Sequence, residues 1–222
     1  MQLALESNAF FWAIEYLATF CCGLLGGLWA VRKRYDFIAI LMTVWLTGLG
    51  GGIIRDVLLG IFPPVGVSNK GLVITTLLAS CAVAVVYPEV DGLKWTMATL
   101  DALALGLYAV NGTQKALMYH TSGMTAVFMG LITAIGGGLI RDVLLNRVPS
   151  VIGDSHWYTV PALIGSVLTV FSTRAYARGV LSFTGELVCD LLIVALVVCL
   201  RMLSVKFDWK VPGAIKRKQY RF

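Results

Sequence analysis

The chain has 222 residues, of which 58% are hydrophobic and 14% charged, and its formal net charge is +6. Soluble domains are closer to half apolar and a quarter charged, so this composition excludes an ordinary water-soluble globule and a disordered chain. It makes a lipid bilayer the natural solvent, because apolar runs near the roughly 20 residues that a spanning helix needs follow one another with only short polar breaks.

Seven spans are expected in chain order. The first, 9–31, ends at Arg32-Lys33-Arg34. It is too long for a secretory h-region and has no basic leader, Glu6 being acidic, so a cleaved signal is not expected. The second span, 37–61, stops at Pro63-Pro64, and the third, 69–87, stops before Pro88-Glu89-Val90-Asp91-Gly92. The fourth, 95–115, leads through His120-Thr121-Ser122 into the fifth, 123–145. The sixth, 157–173, follows Pro149, and the seventh, 183–205, follows Arg178-Gly179. A basic tail, 206–222, carries Phe207, Trp209, Tyr220 and Phe222, a mixture suited to the anionic cytoplasmic leaflet. One membrane domain, 1–222, is expected throughout.

Loop charge sets the orientation. The loops after spans one, three and five, with the tail, hold Arg32, Lys33, Arg34, Lys94, Arg147, Lys206, Lys210, Lys216, Arg217, Lys218 and Arg221. The opposite side holds Lys70, Lys115, Arg174 and Arg178. The N-terminus is therefore expected outside and the C-terminus in the cytoplasm.

An internal repeat organises the chain. Gly50-Gly51-Gly52-Ile53-Ile54-Arg55-Asp56-Val57-Leu58-Leu59 recurs as Gly136-Gly137-Gly138-Leu139-Ile140-Arg141-Asp142-Val143-Leu144-Leu145, with nine of ten positions identical. The same 86-residue offset pairs Thr47 with Thr133, Pro63 with Pro149, Gly26 with Gly112 and Glu15 with Asp101. Repeat one is 9–87 and repeat two 95–173. Three spans is an odd number, so the second copy enters the membrane from the opposite face. The expected fold is all-α, a 3+3 inverted-topology repeat plus one C-terminal helix, an arrangement common among transporters.

The residues that carry chemistry lie inside the spans. Gly50 to Gly52 and Gly136 to Gly138 begin 13 residues into spans two and five, about 20 Å deep at 1.5 Å per residue. Successive glycines cost a helix about 1 kcal/mol each relative to alanine. A kink or unwound stretch that frees carbonyls is expected there, with close helix packing as the alternative. Arg55-Asp56 and Arg141-Asp142 follow. Intramembrane charges are costly and usually pair or face water. Adjacent side chains diverge by about 100° on a helix, so each charge is expected to reach another helix, either lining a path or closing a static network. Glu15, Asp101 and Asp190, with Glu186 a turn earlier, are secondary candidates for attracting cations, the alternative being hydrogen bonds to neighbouring helices. Asn111, Thr113 and Gln114 add polarity to span four.

Cys21, Cys22, Cys81, Cys189 and Cys199 lie in apolar runs without metal-ligand spacing and are expected to act as packing residues. The two histidines, His120 and His156, stand apart, so no metal or haem site and no cofactor is expected. No nucleotide-binding or hydrolase motif is present, and neither an enzyme nor a nucleic-acid binder is expected.

The doubled Gly-Gly-Gly-x-x-Arg-Asp motif resembles the prokaryotic branch of the trimeric intracellular cation (TRIC) channels, over nearly the whole chain. That resemblance implies a homotrimer in the cell inner membrane with one pore per protomer, passing potassium and also sodium, lined by kinked spans two and five. It carries Gly50, Gly51, Gly52, Arg55, Asp56, Gly136, Gly137, Gly138, Arg141 and Asp142 over as pore elements, with membrane lipids as surroundings. The phosphoinositide motif of the animal branch is not carried over, since only Lys115 stands at its place. Bacterial relatives with the doubled motif also resemble transporters of small neutral amino acids such as glycine, and a carrier is the alternative the resemblance leaves open.

Overall fold

The computed structural model describes residues 9–86, 94–153 and 156–210, and all its regular structure is helical. The order is α1 (Ala9–Arg32), α2 (Phe37–Leu58), α3 (Val65–Ser68), α4 (Lys70–Val86), α5 (Lys94–Met118), α6 (Gly123–Leu144), α7 (Ser150–Gly153), α8 (Thr159–Ala177) and α9 (Phe183–Lys206). Five of these, α1, α2, α6, α8 and α9, are long and apolar enough to cross a membrane. The shorter α4 is also apolar, whereas α5 is long but carries Asp101, Asn111, Gln114 and Lys115. The break at 88–92 and the tail beyond Lys210 lie outside the described residues.

The 86-residue register reappears in the backbone. α2 and α6 have the same length in that register, and each is capped by a short polar side chain. Asp36 Oδ1 accepts from Ala39 N at 2.8 Å and Ser122 Oγ from Thr125 N at 3.1 Å, which satisfies an otherwise orphaned helix-end N–H. Arg34 and His120, also 86 apart, share a positive φ of 58° and 56° in the turns before these caps. Sequence reading missed α3 and α7, which are single turns after the paired prolines.

Polarity is distributed inside out. Ile38, Phe128, Phe171 and Leu192 are each more than half exposed, while Arg55, Asp56, Asp142 and Asn111 are buried. That pattern suits a lipid surround, where charge must be satisfied within the protein. An apolar core of Ile14, Ala18, Leu105, Val110, Ala162 and Val197 joins α1, α5, α8 and α9.

The helices of the two glycine motifs run through Gly50 to Gly52 and Gly136 to Gly138 without a break in α-helical structure. The expected unwound carbonyls are therefore absent there. The glycines let the two helices touch: a Cβ on Gly51 would meet Thr133 O and Gly137 N, and one on Gly137 would meet Thr47 O. Gly51 and Gly137 are equivalent, as are Thr47 and Thr133, so the contact is reciprocal, as across a local two-fold axis. Backbone against backbone is a distance only glycine permits. Gly52 and Gly138 face elsewhere: a Cβ on Gly52 would lie 3.6 Å from the Arg55 guanidinium, and one on Gly138 would lie 3.3 Å from the Tyr158 hydroxyl and 3.7 Å from the Arg141 guanidinium.

Helix ends gather in two groups. At one end of the bundle the Arg147 guanidinium stacks on the Trp29 ring at 3.4 Å, and Trp157 meets Trp209 at 5.6 Å. At the other end Lys115 meets Asp56, and Gln114 meets Asp190.

Candidate functional site

Two buried charge clusters flank the glycine crossing. In the first, Arg55 on α2 is fully buried and uses three donors on three helices. Nε donates to Asp56 Oδ1 at 2.8 Å, Nη1 to Asn111 Oδ1 on α5 at 2.9 Å, and Nη2 to Glu15 Oε1 on α1 at 3.1 Å. Lys115 Nζ, also on α5, stands 3.0 Å from Asp56 Oδ1. Asp56 Oδ2 accepts from Val65 N at 2.9 Å and so anchors α3. Two cations meet two carboxylates, so the group is formally neutral.

The second cluster follows the same plan. Arg141 Nε donates to Asp142 Oδ1 at 2.9 Å. Asp142 Oδ2 accepts from the backbone and hydroxyl of Ser150 at 2.8 and 2.9 Å, anchoring α7. Asp101, the counterpart of Glu15, lies 3.7 Å from Arg141 Nη1 and 3.8 Å from Arg201 Nη2, and accepts from the Tyr158 hydroxyl at 3.3 Å. Arg201 also sits over the Tyr158 ring at 4.7 Å. Again two cations meet two carboxylates.

The structure thus unites Arg55, Asp56 and Glu15 in one cluster and Arg141, Asp142 and Asp101 in the other. Asp190 belongs to neither. Each arginine does reach another helix, and it also pairs with the adjacent Asp: the long side chain folds back so that Nε meets its neighbour, leaving both terminal nitrogens for other helices. Lys115 is corrected. It is a buried residue of α5 rather than a loop charge, because α5 extends to Met118. Arg174 likewise lies within α8 and Lys94 begins α5.

Tyr158 and Arg201 were not singled out from sequence, and Lys115 was counted only as a loop charge. A signal existed for one pair: Lys115 and Arg201 are themselves 86 residues apart. As α5 packs on α1, α9 packs on α5, and each brings a cation to the cluster beside it. Asn111 has Val197 at its corresponding place, so Arg141 Nη1 has no hydrogen-bond acceptor.

Near-continuous apolar helices that bury complete charge networks define a polytopic helical membrane protein. The chain belongs to the family described as Glycine transporter, whose model matches twice, at residues 12–88 and 98–174. Those two matches are again 86 residues apart, in the register of the internal repeat. A UPF0126 membrane protein of Vibrio cholerae is 30% identical over 84% of this chain and 76% of its own length. The UPF0126 inner membrane protein YadS of Escherichia coli K12 is 29% identical over 90% and 93%.

Among solved structures, the TRIC channel orthologue from Rhodobacter sphaeroides superposes with TM-score 0.81 at 25% identity, covering 90% of this chain and all of that one. A prokaryotic TRIC channel in 0.5 M KCl gives 0.79 at 26%, covering 91% and 98%. A structure that addresses conductance through TRIC cation channels gives 0.77 at 31%, covering 93% and 98%. The chain is a prokaryotic member of this TRIC-like group, with its fold and its membrane setting.

Proposed function

We propose that the protein is a monovalent cation channel, permeable to potassium, that works as a homotrimer with one pore in each protomer. Whole-chain likeness to structures described as TRIC channels, at up to 31% identity, carries this reading. Seven spans cross the membrane as a 3+3 inverted repeat, 9–87 and 95–173, with helix 183–205 added and a basic tail, 206–222. The grouping of helix ends supports this. Trp29, Arg147, Trp157 and Trp209 meet at one end, and Asp56, Lys115, Gln114 and Asp190 at the other, as alternating crossings require. The basic side is cytoplasmic, so the N-terminus is outside and the C-terminus inside, in the bacterial inner membrane.

The path follows α2 and α6 past Gly52 and Gly138, with Arg55, Asp56, Arg141 and Asp142 as its charged elements and Gly50, Gly51, Gly136 and Gly137 as the hinge at its waist. Glu15 and Asp101 hold the arginines. Formal neutrality of each cluster keeps a wall of arginine from repelling cations. Arg55, sealed on three oxygen acceptors, describes a closed outer passage, and opening requires the guanidinium to leave at least one of them.

Recording from the purified protein in a planar bilayer under asymmetric potassium chloride tests this. Discrete openings that reverse near the potassium equilibrium potential are expected. A silent bilayer from folded protein would overturn the channel reading. It would favour the second reading, carriage of a small neutral amino acid such as glycine, which the family's description supports, and saturable uptake of radiolabelled glycine would then be measured.

A further inference from the structure

Among the described residues, a buried acidic pair lies outside both arginine clusters and has no basic partner. Glu186 and Asp190 stand one turn apart on α9, which puts them on the same face. Both are buried, at 3% and 2% exposure. Asp190 Oδ2 accepts from Gln114 Nε2 on α5 at 2.6 Å. Among the described residues, the charged side chain that acts on Asp190 is Glu186, and the neighbour acting on Glu186 is Thr173 of α8. The α1 residues that face the pair are Phe10 and Phe11. By contrast, Glu15, Asp56, Asp101 and Asp142 each lie within 4 Å of an arginine or lysine nitrogen.

Two further observations point to a ligand. Glu186 Oε1 and Asp190 Oδ1 are buried without a hydrogen-bond partner among the described residues. A small cleft of about 10 Å³, room for roughly one water-sized particle, is lined by Phe10, Phe11, Gln114, Phe183, Glu186 and Asp190 and lies in front of them. Two carboxylates one turn apart in a low-dielectric setting, without a counter-charge, do not both remain ionised and empty-handed. The oxygens available are hard donors, suited to a proton or a hard metal cation and not to a soft one.

We propose that Glu186, Asp190 and Gln114 form a site for a single positive charge, held either as a proton shared by the two carboxyl groups or as an alkali-metal cation that replaces it. The exchange balances: the alkali ion enters as the proton leaves to bulk water, and the net charge of the pair with its occupant stays at minus one. Gln114 holds Asp190 through Oδ2, which leaves Oδ1 available to an occupant. The site sits at the end of the bundle that gathers Lys115 and Asp56, away from the glycine crossing, and the inference does not depend on conduction.

Infrared difference spectroscopy of the full-length protein in phosphatidylcholine vesicles reads the proton directly. Potassium chloride is exchanged for choline chloride at fixed pH and ionic strength. A carboxylic-acid carbonyl band is expected in choline, lost in potassium, and absent under both conditions from the Glu186→Gln/Asp190→Asn variant. A band that ignores potassium, or a potassium response that survives in the double variant, would overturn the site. If the double variant does not elute as folded protein, Glu186→Gln alone carries the test, with loss of the potassium-sensitive band expected and its persistence refuting the assignment. The readout needs no current, so a silent bilayer leaves this result standing on its own.

Discussion

The two arginine clusters descend from one motif and differ in how tightly they are tied. Around Arg55 every acceptor lies at 2.8–3.1 Å, and the side chains of Arg55, Asp56, Lys115 and Glu15 are at most 5% exposed. Around Arg141 the carboxylate from the neighbouring helix stands 3.7 Å away and is 16% exposed. The cause is a pair of substitutions in equivalent places. Asn111 gives Arg55 Nη1 an acceptor where Val197 gives Arg141 none, and the shorter Asp101 stands where Glu15 reaches one methylene further. Duplication preserved the motif, and the helices around it set its stiffness. The looser cluster is the one from which a guanidinium moves at lower cost.

That contrast can be broken most forcefully at the arginines. Arg55→Met strands Glu15 and Asn111 in a buried site and should cost about 3–5 kcal/mol, seen as a collapse of the folded fraction on size exclusion and in thermal unfolding. Arg141→Met should cost less, about 2 kcal/mol, because Asp101 is less enclosed and keeps Arg201. Equal losses would mean that the difference in exposure has no energetic weight.

The glycines come next. Gly51→Ala and Gly137→Ala each push a methyl group into a backbone carbonyl across the crossing, and each should destabilise by up to about 3 kcal/mol, equally, since the contact is reciprocal. A methyl group at Gly52 would meet only the Arg55 guanidinium at ordinary contact distance, whereas one at Gly138 would also press on the Tyr158 hydroxyl at 3.3 Å. Gly52→Ala should fold as the parent does, with a small gain from helix propensity, and Gly138→Ala at a small cost, while single-channel conductance changes if they line the path. Unchanged conductance in both folded variants would remove them from it.

Smaller still, Asn111→Val reproduces the second cluster's chemistry in the first. It should cost about 2 kcal/mol by thermal unfolding, and no measurable loss would show that the amide is not what tightens Arg55. The smallest effect lies at the rim beyond α9. Asp208 is held below the usual carboxylate range chiefly by its hydrogen bond from Lys210, with His156 contributing. Its contribution is present above the carboxyl's unfolded pKa and fades as pH falls through the lower folded value. The melting difference between wild type and Asp208→Asn should therefore be slight near neutrality and vanish in acid. A difference that grew in acid would contradict the assignment.

Much of the fold was legible beforehand because membrane spans announce themselves by length and apolar composition. Span two began at Phe37, span five at Gly123 and span seven at Phe183, as in the structure, and the 86-residue register foretold that α2 and α6 would be equivalent. The candidate residues of the motif were legible for the same reason: a charge amid apolar residues stands out. Lys115 did not stand out, because it lies near the end of a polar helix where a loop was the natural reading. Arg201 went unremarked near the end of the expected seventh span, just before the basic tail. The glycines left two readings open, a place for the backbone to open or a close packing of helices, and Gly51 and Gly137 serve the second. Composition cannot separate those uses, since both follow from the missing side chain.

By itself the sequence determined that this is a helical membrane protein, duplicated, with a charged motif buried in each half. Those properties depend on the periodicity and hydropathy of contiguous residues, which a linear reading preserves. Only the tertiary structure decided which charges meet, that α9 supplies to the second half a cation where α5 supplies one to the first, and that the Glu186–Asp190 pair is left without a base. Partners brought together from helices 40 to 100 residues apart are set by packing angles and by the reach of individual side chains, and neither is written in any local run of the chain.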